Sequence, residues 1–329
     1  MKRIIALILT LLIFIVPFSA CEKDDDVKTI KLNEVTHSVF YAPLYVAIEN
    51  GYFEEEGIKI ELTNGGGADA SMTAVLSGTA DVGLMGPETV IYVYNQGKTD
   101  APKVFGQLTQ KDGAFLVSKT EQPNFKWTDL KGKEILAGRK GGVPAMTFEY
   151  ILSQLGYKDG VDVTLNYDVQ FNLMTSAFIG GIGDYCTVFE PTASEYQANG
   201  EWYIVASVGE QAGEVPYTSF IALESFIDEN KDTVKSFLKA IKKAHQFMKD
   251  STDLEIAQAI VKQFPSTSIN SIAKSVTSYK SIDAWKTDLI ATEESFERLQ
   301  NIMKNAGELD ENVPFDKLVD NTIAEEVFG

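Results

Sequence analysis

Cysteine, histidine and arginine are scarce in this sequence: two, two and three in 329 residues. Each scarcity closes a class of function. Two histidines and two cysteines, with no carboxylate beside them at ligand spacing, make no zinc site. No GxSxG elbow and no glycine loop ending in GK[ST] occurs, so serine-hydrolase and P-loop nucleotide chemistry have no support. Of Arg3, Arg139 and Arg298, only Arg139 falls in a segment that reads as a binding loop. A guanidinium fork for an oxyanion therefore has one candidate. Basic charge is short as well. There are 29 Lys and Arg against 47 Asp and Glu, a net charge of −18, which argues against nucleic acid and anionic lipid as partners. There is no low-complexity tract and no fixed-period repeat.

The N-terminus reads as an address. Lys2 and Arg3 are followed by an apolar run at 4–16, and Phe18, Ser19 and Ala20 lead into Cys21. The run is too short to span a bilayer, which needs about 20 residues. Residues 1–20 are thus expected to be a secretory signal peptide. Small residues directly before a cysteine resemble a bacterial lipobox, whose Cys becomes the lipidated first residue, although Phe18 stands where Leu is usual. The alternative is an ordinary signal with a chance cysteine after the cut. Residues 21–27, with four acids and one lysine, read as a lipidated, solvated tether. With Cys21 lipidated, Cys186 has no partner for an internal disulfide. The core alone must hold the mature chain, which is long enough to do so.

Strand and helix patterns alternate along the rest. An alternating stretch at 29–35 (TIKLNEV) is followed by helical spacing at 45–52 that ends at Gly51. Then a strand at 58–62 (IKIEL) runs into Gly65-Gly66-Gly67 and an alanine-rich helix start. A strand, glycine turn and helix start is how many α/β proteins present backbone N–H groups to a small ligand. The same order recurs at 135–189. From 225 onward the pattern is mostly helical. These signals predict two similar α/β domains with parallel sheets, and a helical tail packed back on the first.

At THSVFYAPLYVAIENGYFEEEGIKIEL, GGGADASMTAVLSGTADVGLMGPE and FLVSK the chain resembles the type-II solute-binding proteins of ABC importers. More narrowly, it is similar to the NMT1/THI5-like group serving sulfonates, nitrate and thiamine precursors. The resemblance covers essentially the whole mature chain. It implies an α/β, two-lobed type-II solute-binding fold, with the ligand cleft between two α/β domains joined by two crossovers. Mapped here, lobe one takes 28–115 and 218–329, and lobe two takes 116–217, with crossovers near 114–118 and 215–220. The resemblance also implies a monomer outside the cytoplasm, with a small-molecule ligand, an ABC permease and its ATPase as partners. Membrane contact is through the lipid anchor only, and no cofactor, metal or catalytic residue is expected. Fungal relatives of this group make a thiamine pyrimidine with pyridoxal phosphate. An enzyme of that kind would need a cofactor lysine and a cysteine-rich motif.

Ligands in open α/β sheets bind beyond the C-terminal ends of strands. That rule, through the family mapping, selects the candidates. They are His37, Phe40 and Tyr41 after the first strand, Gly66 and Gly67 after the second, and Met85, Gly86 and Glu88 after the third. In the second lobe they are Gly141, Gly142, Phe171, Tyr185 and Glu190, with Tyr217 at the second crossover. Each has a plainer reading. The glycines make tight turns, Asp69 caps its helix, and Glu190 stabilises the dipole of the helix opened by Pro191 and Thr192. A lone histidine such as His37 is a structural hydrogen-bonder, and His245 lies on a lysine-rich surface helix. Cys186 is a small buried residue. In the functional reading, tyrosines stack on flat rings or cations, and a carboxylate accepts from an exocyclic amine. That favours a thiamine-related aminopyrimidine: thiamine, hydroxymethylpyrimidine or formylaminopyrimidine. Sulfonate, taurine, nitrate or riboflavin stay as alternatives.

Overall fold

A computed structural model describes residues 27–329. The expected signal peptide and Cys21 lie outside the described residues. Among the described residues, ten strands form two five-stranded sheets. The first contains β1 (Lys28–Glu34), β2 (Ile58–Asn64), β3 (Val82–Met85), β4 (Pro102–Thr109) and β10 (Thr218–Leu223), in the order β2-β1-β3-β10-β4. The second contains β5 (Ala114–Ser118), β6 (Glu134–Leu136), β7 (Thr164–Leu165), β8 (Tyr185–Phe189) and β9 (Tyr203–Ser207), in the order β7-β6-β8-β5-β9.

The two sheets share one plan. In each, the first three strands of the unit pair in parallel, as β1 does with β2 and β3, and β6 with β7 and β8. In each, the fourth place is taken by an antiparallel strand, β10 or β5, on which the chain enters that sheet from the other. The chain therefore passes over at 110–113 and returns at 208–217. Ala114 and Phe115, mapped to lobe one by the resemblance, pair with Phe189 and Val188 of the second sheet. The two crossing segments lie side by side. Val215 N–H donates to the Gln110 carbonyl at 2.9 Å, and Tyr217 N–H to that of Thr109 at 3.2 Å.

The tail departs from expectation. Helix Lys231–Asp250 does pack on the first sheet's layer, burying Val234, Phe237, Leu238, Ile241 and Met248 at helical spacing. His245 shares that buried face, so it is not a surface residue. Later helices reach the second unit as well. Glu293–Asn305 packs against Val143–Gln154, and Ile269–Ser281 against Thr192–Ala198. The tail thus bridges both units rather than covering one. Among the described residues no helix is long and apolar enough to cross a membrane.

Candidate functional site

A cavity of about 410 Å³ opens between the two sheets, and strand ends from both supply its wall. β2 runs into the glycine turn for a reason the geometry makes plain. A β-carbon at Gly65 would collide with the Ser71 hydroxyl and the Asn33 amide oxygen, and Gly66 has φ +72. Only glycine suits both demands. Gly66 and Gly67 have open space where a side chain would stand, so their bare backbone lines the cavity beside the start of helix Ala68–Leu76.

β3 delivers the second wall. After Met85, Gly86 and Pro87 open helix Glu88–Asn95, with Glu88 at its first position. Glu88 lines the cavity, yet only 2% of it is exposed. Its Oε2 has no hydrogen-bond partner. Burial pushes its pKa up to about 7, while the N–H groups of Glu88 itself and Val143 and the charge of Arg139 pull the other way, and Asp69 adds to the rise. From the second unit come Gly142 at the start of helix Val143–Gln154, the segment around Phe171, and Phe189 at the end of β8. Tyr217 stands in the return crossover, and its buried hydroxyl also lacks a partner. The rings of Phe171 and Phe189 lie 6.1 Å apart, and those of Phe189 and Tyr217 6.3 Å. Burial, foremost, raises the pKa of the Tyr41 hydroxyl, which stays neutral beside Thr218.

Two contacts close the cleft mouth. Tyr92 Oη donates to the Gly141 carbonyl at 2.8 Å, and Arg139 lies 3.4 Å from Asp69. Asp69 is therefore the partner of Arg139 across the mouth and caps no helix through its side chain.

Of the candidates read from the sequence, Tyr41, Gly66, Gly67, Gly86, Glu88, Gly142, Phe171 and Tyr217 line this cavity. Six others lie elsewhere. His37 Nδ1 is 2.6 Å from Glu34 Oε1, and its Nε2 is 2.9 Å from the Gln263 carbonyl, so both ring nitrogens serve the fold. Burial opposes its charge, but Glu34 and the Gln263 carbonyl outweigh this and hold its pKa above the usual value. Phe40 is buried between Tyr217 and Tyr279, and Met85 is fully buried in β3. Gly141 stands at the mouth and offers its carbonyl to Tyr92. Tyr185 points into the second unit's core, where its hydroxyl donates to Gln122 at 2.9 Å. Glu190 is spoken for: its carboxylate accepts from Ser194 N–H (2.9 Å), Ser194 Oγ (2.6 Å) and Ser278 Oγ (3.1 Å). The plainer reading of Glu190, as an acid serving its helix start, describes it. Thr36, Tyr167, Gln170 and Thr218 line the cavity and were not singled out by sequence. Tyr167 and Gln170 follow β7, so the strand-end rule that chose Phe171 reaches them too.

Residues 39–253 match the family described as NMT1/THI5 like. YtlA of Bacillus subtilis (strain 168), which carries the provisional name of a binding protein, is 42% identical over 309 residues, covering 94% of this chain and 92% of YtlA. The chain belongs to the NMT1/THI5-like family. The fold has solved counterparts. One is the periplasmic nitrate-binding protein NrtA of Synechocystis PCC 6803 (TM-score 0.73, 16% identity, 92% of this chain and 88% of NrtA). Another is the alkanesulfonate-binding protein SsuA of Xanthomonas axonopodis pv. citri, bound to MOPS (TM-score 0.71, 15% identity, 88% and 97%). The chain thus has the type-II periplasmic binding architecture.

Proposed function

We propose that this NMT1/THI5-like protein is the extracytoplasmic solute-binding component of an ABC import system. It captures a thiamine-related aminopyrimidine in the cleft and delivers it to a permease and its ATPase. The two sheets act as lobes that hinge at the paired crossovers. Lipidated Cys21 tethers a monomer to the membrane.

One observation carries the ligand class. Glu88 is buried in the cleft wall with Oε2 unpartnered, and a buried acceptor without a donor is costly. An exocyclic amine supplies that donor, and the rings of Tyr41, Phe171, Phe189 and Tyr217 offer a flat aromatic surround. A sulfonate or nitrate brings only acceptors. The anionic reading draws on Arg139 and on what SsuA and NrtA are named for, but Arg139 is already paired with Asp69.

Calorimetric titration with thiamine and hydroxymethylpyrimidine tests the reading. Removing a charged hydrogen-bond partner from a buried amine costs about 1.5–3 kcal/mol. Glu88→Gln is therefore expected to weaken pyrimidine binding by about ten- to a hundred-fold. Pyrimidine affinity unchanged in the variant, or binding of sulfonates and nitrate alone, refutes it.

A further inference from the structure

Three helices begin at the cavity wall: Ala68–Leu76, Glu88–Asn95 and Val143–Gln154. Free N–H groups and the positive ends of three dipoles meet in one space, with Arg139 beside them. Such a space attracts an anion. The chain fills it with an anion of its own. The Glu88 carboxylate folds back over Gly86, where a β-carbon would collide with Oε2. It lies against the start of its own helix and against Val143, which opens the helix from the opposite lobe. The residue lines the cavity but is almost fully buried, and Oε2 remains unpartnered.

We infer that Glu88 is a built-in anion: its carboxylate occupies the seat formed by the converging helix starts, and so sets the cleft against anionic ligands and in favour of ligands that bring an N–H donor or a positive charge. The inference rests on the cleft being the capture site. It goes beyond the aminopyrimidine reading, because it says what the cleft becomes when the carboxylate is taken away. The same helix starts and Arg139 would then receive a ligand anion. Around Glu88 stand Arg139, Asp69 and the hydroxyls of Tyr41, Tyr92 and Tyr217, with Glu308 further out beside Tyr92 and Gly141. Arg139 is the one cation in that set. Its pairing with Asp69 leaves Glu88 to decide the sign of the cleft. With its pKa near 7, the carboxylate is charged at pH 8 and largely neutral at pH 6.

The test uses the mature protein with two probes, methanesulfonate and hydroxymethylpyrimidine, titrated calorimetrically at pH 8 into wild type, Glu88→Ala and Glu88→Gln. Methanesulfonate keeps one negative charge throughout. Both variants are expected to bind it at least about tenfold more tightly than wild type. Wild-type affinity for it is expected to rise when the pH is lowered to 6. Variants that melt like wild type but bind methanesulfonate no better overturn the inference. If Glu88→Ala does not fold, Glu88→Gln and the wild-type pH comparison decide. The pyrimidine arm separates the two readings. Pyrimidine lost in the variants with no gain of methanesulfonate leaves the ligand reading and removes the anion seat. Methanesulfonate gained with no pyrimidine bound by any form does the reverse.

Discussion

Tyr92→Phe removes one hydroxyl at the cleft mouth and nothing else. In the closed arrangement Tyr92 Oη donates to the Gly141 carbonyl at 2.8 Å. When the lobes part, water serves both groups. The bond therefore acts on closure and not on the stability of either lobe. A hydrogen bond of this kind is worth about 0.5–1.5 kcal/mol net, which is about two- to tenfold in Kd. The upper part of that range is expected, because Gly141, with φ +72, cannot easily swing its carbonyl to another donor. Association precedes closure, so the loss belongs in the dissociation rate. Stopped-flow kinetics with the captured ligand read it, and chemical denaturation of the ligand-free variant is expected to match wild type. The neighbouring Arg139–Asp69 pair provides an internal control. Its side chains are 43% and 73% exposed, so Asp69→Asn is expected to cost at most about 1 kcal/mol and to lose that effect in high salt. Wild-type dissociation from Tyr92→Phe, or equal losses in affinity and fold stability, refutes the clasp.

Further expectations concern groups outside the cleft. Glu190→Gln leaves at least one of its three donors without an acceptor, so unfolding free energy is expected to fall by about 1–3 kcal/mol. Pyrimidine affinity should change far less than in Glu88→Gln. Cys21→Ala is expected to move the protein from the membrane to the soluble fraction, and unchanged retention without a lipid label on wild type rejects the anchor. Burial lowers the pKa of His245 to about 4, with Asp288 opposing. The unfolded chain therefore takes up the proton first, and stability present above pH 6.5 is lost as pH falls toward 4, by up to about 3 kcal/mol. Over pH 7 to 4.5 His245→Leu should lose about 2.5 kcal/mol less unfolding free energy than wild type, and an equal loss rejects it.

The backbone was more legible than the side chains. The stretch IKIEL and the alternation at 29–35 became the parallel pair β2 and β1, because a half-buried strand must alternate. Gly51 ends the helical run at Ala42–Glu49 with φ +73, as the pattern required. In the second unit β7 is only Thr164–Leu165, a short edge strand held on one side by β6. Which loops face the cleft followed from strand direction. Which atoms face it did not. In MGPET the proline comes before the acid, and Glu88 becomes the first helical residue with its carboxylate over Gly86. In VFEPT the proline comes after, and Glu190 turns away to Ser194 and to Ser278. His37 was likewise claimed by Gln263 and Phe264. Ser278 lies 88 residues from Glu190 and Gln263 lies 226 from His37, and no local spacing reveals them.

The distribution of contacts around the cleft explains how such a site can open without losing its shape. At the back, the ties are buried. Ser38 Oγ donates to the Glu190 carbonyl at 2.8 Å, and Glu190 N–H donates to Tyr279 Oη at 2.9 Å. Breaking either of them would leave a polar group desolvated. At the front stand one hydrogen bond and one exposed ion pair, whose groups return to water at little cost, beside helix Glu293–Asn305, which packs on both Glu88–Asn95 and Val143–Gln154. The proposed hinge lies at the back, where the two crossings lie together. Glu88 sits on the first unit's wall and Val143 on the second's, so opening draws the buried carboxylate away from one of the helix starts that favours its charge. The ligand donor that meets Oε2 and the closure that reunites these groups then act on the same side chain. The proposed capture and closure thus meet at Glu88, while Glu190, a similar acid at the same kind of helix start, is held by Ser194 and Ser278.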